Sequence, residues 1–106
     1  MASIDDFKKL DLRVAEILKV EAHPNADRLW QLRIRVGKEG RTIVAGIRSS
    51  YGAEELVGKR IVVVCNLEPA VIRGVRSEGM LLAASDGDKI VLVVPERDVS
   101  SGACVR

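Results

Sequence analysis

The segment Trp30-Gln31-Leu32-Arg33-Ile34-Arg35-Val36 alternates apolar and polar residues without a fault over seven positions. In an extended chain, successive side chains project to opposite faces. Trp30, Leu32, Ile34 and Val36 therefore share one face, and Gln31, Arg33 and Arg35 share the other. Gly37-Lys38-Glu39-Gly40 follows as a hairpin turn, and Arg41 to Ile47 returns as a further strand. Such a pair must be antiparallel, with one face in a core and an arginine-bearing face outside.

The rest of the chain reads around this hairpin. Asp5 to Leu10 suits a short amphipathic helix capped by Ser3 or Asp5. Leu10 to Glu21 alternates, with a slip near Ala15-Glu16 that predicts a bulged strand. His23-Pro24-Asn25-Ala26-Asp27 is a loop, and the second strand runs from Arg28 to Val36. Ala53 to Gly58 suits a helix of one to two turns, closed by Gly58. Lys59 to Leu67 is a buried, β-branched strand, and Glu68 to Glu78 is a loop. Gly79 to Ser85 and Lys89 to Val94 are strands joined at Asp86-Gly87, with a last strand at Ala103 to Arg106. Three strands, a short helix and two more strands match an all-β OB-fold, a five-stranded Greek-key barrel with a helix between strands three and four. Its ligand face uses strands two and three and the loops after strands one and four.

At 106 residues the chain makes one domain, residues 1–106. About two-thirds of its surface is buried on folding, so no metal or disulfide is needed for a core. Cys65 and Cys104 form no ligand-spaced pair, and Cys65 lies in a β-branched run as a small buried hydrophobe. The lone His23 lacks a partner for metal or general-base work. No nucleophile–base constellation or phosphate-cradling glycine loop is present, so the expectation is a non-enzyme with no cofactor and no metal. Met1 to Asp6 carries neither a basic nor an apolar leader region, and the longest apolar run, Ile61 to Cys65, is too short for a membrane span. The expected location is the cytoplasm.

The net charge of +2 hides an asymmetry. Arg28 to Arg76 holds ten basic and four acidic residues, a net of +6, and the remainder carries −4. The excess falls on the strands and loops where an OB-fold meets its ligand, and guanidinium forks suit phosphate oxygens. Single-strand readers stack bases on aromatic rings. This chain has only Phe7, Trp30 and Tyr51, with Trp30 on the core face and Phe7 packed by the first helix. A folded RNA read by shape and phosphates needs fewer rings.

Several longer motifs then stand together. They are Asp6-Phe7 with Leu10-Asp11-Leu12-Arg13-Val14, His23-Pro24-Asn25-Ala26-Asp27-Arg28-Leu29, and Arg41-Thr42-Ile43-Val44-Ala45-Gly46-Ile47. Tyr51 with Glu54-Glu55-Leu56-Val57-Gly58-Lys59, Asn66-Leu67-Glu68-Pro69, and Arg73-Gly74-Val75-Arg76-Ser77-Glu78-Gly79-Met80-Leu81-Leu82-Ala83-Ala84 complete the set. Together they resemble the tRNA-binding domain at the C-terminus of many methionyl-tRNA synthetases. The same domain occurs in stand-alone tRNA-binding proteins and in endothelial monocyte-activating polypeptide II and its yeast counterpart. The resemblance covers residues 5 to 106.

The resemblance implies a non-catalytic OB-fold that binds tRNA by its outer shape. It implies a homodimer built by the N-terminal helix and the C-terminal extension, and a methionyl-tRNA synthetase catalytic core as a further partner. It associates Ser77, Gly79 and Met80 with tRNA binding, and places Lys59, Asn66 and Arg73 at matching positions. With the basic strands, the candidate RNA-binding residues are Arg33, Arg35, Arg41, Lys59, Asn66, Arg73, Arg76, Ser77, Gly79 and Met80. Ala70-Val71-Ile72 departs from the basic residues that relatives carry after the proline, and Arg33 and Arg35 are candidates to compensate. Read singly, Ser77 is a turn or cap residue, Met80 core filler and Asn66 a backbone-bonding side chain. The alternative function is a protein-interaction module or a CsaA-like export chaperone on the same fold.

Overall fold

The computed structural model describes residues 1–106. Its elements run α1 (Ile4–Lys8), β1 (Leu12–Ala22), β2 (Trp30–Val36), β3 (Glu39–Ala45), α2 (Ala53–Leu56) and β4 (Arg60–Val64). There follow β5 (Ala70–Ile72), β6 (Val75–Ser77), β7 (Met80–Leu81), β8 (Ala83–Asp86), β9 (Lys89–Leu92) and β10 (Cys104–Val105). The main sheet has the order β3-β2-β1-β4-β7, with β10 added to β1. It curls until the Glu78 N–H donates to the Thr42 carbonyl at 2.8 Å, which brings the segment before β7 back to the edge of β3. This is the all-β OB-fold architecture, with α2 between the third and fourth strands.

The alternating hairpin forms as the pattern dictates. Val36 pairs with Glu39, so the turn is only Gly37-Lys38, and β3 begins two residues earlier than the turn residues suggest. Gly37 has φ +63, the conformation a type II′ turn needs at its first central position. Leu32, Ile34 and Ile43 are fully buried with Ile17, Leu56, Ile61 and Val63. Each such side chain contributes about 1.5–3 kcal/mol by leaving water.

Three expectations are corrected. The slip expected at Ala15-Glu16 lies instead at Leu18, where the β1–β2 register shifts between Ile17 and Lys19. Ala15 and Ile17 face the main core, whereas Leu12 joins a second cluster with Val62 and Val64, under Leu82 and Val105. The start of β1 is thus apolar on both faces, which imitates a change of phase. Second, the segment 68–78 is not a plain loop: β5 and β6 form a hairpin within it. Third, Phe7 is not packed away by its helix but stands 42% exposed. Helix α1 itself is closed by a capping box, with Asp6 N–H donating to Ser3 Oγ and Ser3 N–H to Asp6 Oδ2.

Candidate nucleic-acid interface

The loop after β1 and the β5–β6 hairpin, which follows β4, are bonded to each other. His23 is buried, with Nδ1 accepting the Asn25 N–H at 3.0 Å. Its single ring proton then sits on Nε2, which donates to the Ile72 carbonyl at 2.9 Å. Asn25 Nδ2 donates to the Arg73 carbonyl at 3.0 Å. The two loops that flank the ligand side of an OB-fold are therefore one bonded unit.

Arg73 and Gly74 form the hairpin tip. Ile72 pairs with Val75 across them, and both have positive φ, +51 and +91, as a type I′ turn requires. Arg73 is the one non-glycine residue with positive φ, which is unfavourable for a side chain of its size. On the hairpin, Val71 and Arg76 are paired and exposed, while Ser77 turns inward.

The ten candidate residues divide by their bonding. Arg33, Lys59, Arg73 and Arg76 are exposed and take no carboxylate partner. Arg33 Nη1 reaches only Thr42 Oγ1, at 3.3 Å. Met80 is exposed at the start of β7. The other five are engaged in the fold. Arg35 is ion-paired with Glu16 at 2.6 Å and donates to the Gly37 carbonyl. Arg41 pairs with Glu39 and donates to the Cys65 and Glu78 carbonyls. The Glu39 bond raises the Arg41 pKa further, so its charge is permanent. Asn66 accepts from the Asp11 N–H and donates to the Lys9 carbonyl, both at 2.7 Å, pinning the start of β1 to the end of β4.

Ser77 and Gly79 shape the segment rather than present groups to solvent. The buried Ser77 Oγ accepts from the Val44 N–H at 3.0 Å and donates to the Gly79 carbonyl at 3.1 Å. Gly79 has φ +150, and a Cβ there would stand 3.1 Å from both Val63 Cγ1 and the Val64 carbonyl. Only glycine fits at that approach. Of the two arginines expected to compensate, Arg33 is exposed and free of a carboxylate, whereas Arg35 is held by Glu16.

Two cations absent from the candidate set share the ligand-side end. Arg28 is exposed in the loop after β1 and takes no carboxylate partner. Arg48 lies over the Trp30 indole, 4.5 Å from the ring centroid. Their signal was already in the charge map, since both fall in the +6 segment. The structure holds no cluster of three or more metal-ligating side chains, and no helix long and apolar enough to cross a membrane. Cys65 is buried, and burial pushes its thiol pKa up.

Comparison with known proteins agrees with this geometry. The sequence profile of the family described as "Putative tRNA binding domain" matches residues 12–104. Methionine–tRNA ligase of Pyrococcus horikoshii is 52% identical over 102 residues, covering 96% of this chain and 14% of that protein. The chain thus spans about one-seventh of that relative's length. The crystal structure of a MetRS-related protein from Pyrococcus horikoshii superposes with a TM-score of 0.93 at 36% identity, covering 100% of this chain and 98% of the other. That of the CsaA chaperone protein from Picrophilus torridus gives 0.93 at 30% identity, with both chains covered completely. By profile, by sequence and by fold, this chain belongs to the tRNA-binding domain family.

Proposed function

We propose that residues 1–106 form a single non-catalytic module that binds tRNA by shape and phosphate contacts. The observation that carries this reading is the exposed, carboxylate-free set Arg33, Arg73 and Arg76, with Arg73 on a loop unit braced by His23 and Asn25. Guanidinium groups free of acids retain their full capacity for phosphate. Lys59 and Met80 extend the exposed set, whereas Arg41, Asn66, Ser77 and Gly79 hold the surface in shape. In the cytoplasm the module raises the tRNA affinity of a methionyl-tRNA synthetase core or acts as a free-standing tRNA-binding protein.

The module is proposed to act as a homodimer. Ile4, Phe7 and Leu10 are exposed and line an apolar groove with Leu12, Cys104 and Val105. The groove is formed by α1, the start of β1 and β10, and an exposed apolar surface of this kind favours a second copy. Light scattering at micromolar protein should give the mass of a dimer, and Phe7→Asp should return a monomer.

Arg33→Glu combined with Arg76→Glu tests the RNA reading. Gel-shift binding of tRNA should be lost while circular dichroism stays unchanged. Retained tRNA binding would contradict the reading. The CsaA match supports a second reading, a chaperone that uses exposed apolar positions such as Val71 and Met80. That reading predicts unchanged client binding in the same double variant.

A further inference from the structure

Arg48 belongs to none of the motifs above, yet it is the one cation that lies over an aromatic ring. Its guanidinium lies over the Trp30 ring, and no carboxylate pairs with it. The ring is itself fixed. Trp30 Nε1–H donates to the Tyr51 carbonyl at 2.8 Å, and the Tyr51 hydroxyl accepts the Leu92 N–H at 3.1 Å. Arg48 therefore rests on an aromatic surface that cannot turn away.

Its place connects it to the braced loops. A Cβ at Gly46, two residues before Arg48, would stand 3.7 Å from Leu29 Cδ2, so the end of β3 adjoins the loop after β1. The Leu29 carbonyl accepts the His23 N–H at 3.2 Å, and Asn25 of that loop bonds the Arg73 carbonyl. Arg48 and Arg73 thus border the same loop.

Stacking occupies the flat face of a guanidinium and leaves its in-plane N–H donors available. Those donors match a phosphate in a two-bond fork, and a pre-positioned side chain loses little freedom on binding. We propose that Arg48 is a further RNA-contacting residue, a guanidinium preset on Trp30 to take a tRNA backbone phosphate edge-on. This rests on the tRNA-binding reading above. It extends the contact surface from β2 and the β5–β6 hairpin to the segment between β3 and α2.

Trp30 is the only tryptophan, so its emission reports directly on the pair. The experiment titrates tRNA into the wild-type chain, Arg48→Gln and Arg48→Lys, following both Trp30 emission and affinity at several salt concentrations. Wild-type emission should change along the binding curve. Arg48→Gln should bind about tenfold more weakly, with a salt slope smaller by about 1. Arg48→Lys keeps the charge and loses the fork, so its slope should hold while affinity falls roughly threefold. A urea midpoint for each variant separates lost contact from lost folding. If Arg48→Gln loses stability, the Lys variant decides at an unchanged midpoint: weaker binding supports the contact, and wild-type binding overturns it. A folded Arg48→Gln with wild-type affinity and slope overturns the proposal and leaves the tRNA reading standing. Absence of tRNA binding by the wild-type chain removes both.

Discussion

Asn25 and Arg73 hold each other across 48 positions of sequence: Asn25 Nδ2 donates to the Arg73 carbonyl at 3.0 Å, and Arg73 Nη2 reaches back to the Asn25 carbonyl at 3.5 Å. The contact matters because Arg73 sits at positive φ on a two-residue turn, where nothing local favours its backbone. His23 supplies the second tie, to Ile72. Asn25→Ala should lower stability by only about 0.5–1.5 kcal/mol, the net value of an ordinary hydrogen bond. It should weaken tRNA binding several-fold, because the hairpin tip loses its support. Urea unfolding alongside a tRNA titration checks both.

Ser77 and Gly79 should behave as stability residues. Ser77→Ala leaves the Val44 N–H and the Gly79 carbonyl without their partner, at a cost of about 1–3 kcal/mol. Gly79→Ala sets a Cβ against Val63 and the Val64 carbonyl and fixes an alanine at positive φ, for a loss of about 1–3 kcal/mol. A 106-residue domain then melts roughly 4–8 °C lower per kcal/mol. Thermal melts of the two variants should show this with or without tRNA present.

Arg33 and Arg41 look alike in sequence and should part in experiment. Arg33→Ala removes an exposed cation with one long bond to Thr42. It should leave the melting temperature unchanged and reduce the salt slope of tRNA binding by about 1. Arg41→Ala strips donors from the Cys65 and Glu78 carbonyls and should cost about 1–3 kcal/mol of stability. Denaturant midpoints and salt-dependent binding, measured on both variants, separate the roles.

That contrast marks how far the residues alone could be read. The β2–β3 hairpin was legible because period-two alternation and a glycine turn are local properties, and Leu32, Ile34 and Ile43 lie where the pattern puts them. The β1 bulge was misplaced because Leu12 and Ala15 are buried in different clusters on opposite faces, which no single-strand pattern reveals. The β5–β6 hairpin was hidden because its turn uses Arg73, a residue that carries no turn preference. Charge counting located the basic segment but could not tell free arginines from engaged ones. Glu16 reaches Arg35 only through the β1–β2 register, and Glu39 reaches Arg41 along β3 because that strand begins two residues earlier than the turn residues suggest.

The two thiols should differ in reactivity and in linkage to folding. Cys65 is buried with a raised pKa, whereas Cys104 is exposed. A thiol reagent at neutral pH should label Cys104 rapidly once Phe7→Asp has opened the dimer groove, and Cys65 only on unfolding. Because the folded Cys65 pKa lies above its unfolded value, folding favours the protonated thiol. That contribution is complete below the ordinary thiol pKa and is lost as pH rises above it. Cys65→Ala should flatten the fall in unfolding free energy on the alkaline side, read by urea titrations at stepped pH.

The central claim is that exposed arginines grip the phosphates of a folded RNA, and the salt dependence of wild-type tRNA binding addresses it most directly. Phosphate contacts from Arg33, Lys59, Arg73 and Arg76, with Arg48 as the fifth, imply a log–log slope near −4, so affinity should fall by about two to three orders of magnitude between about 50 and 200 mM monovalent salt. An affinity that stays level across that range would contradict the account.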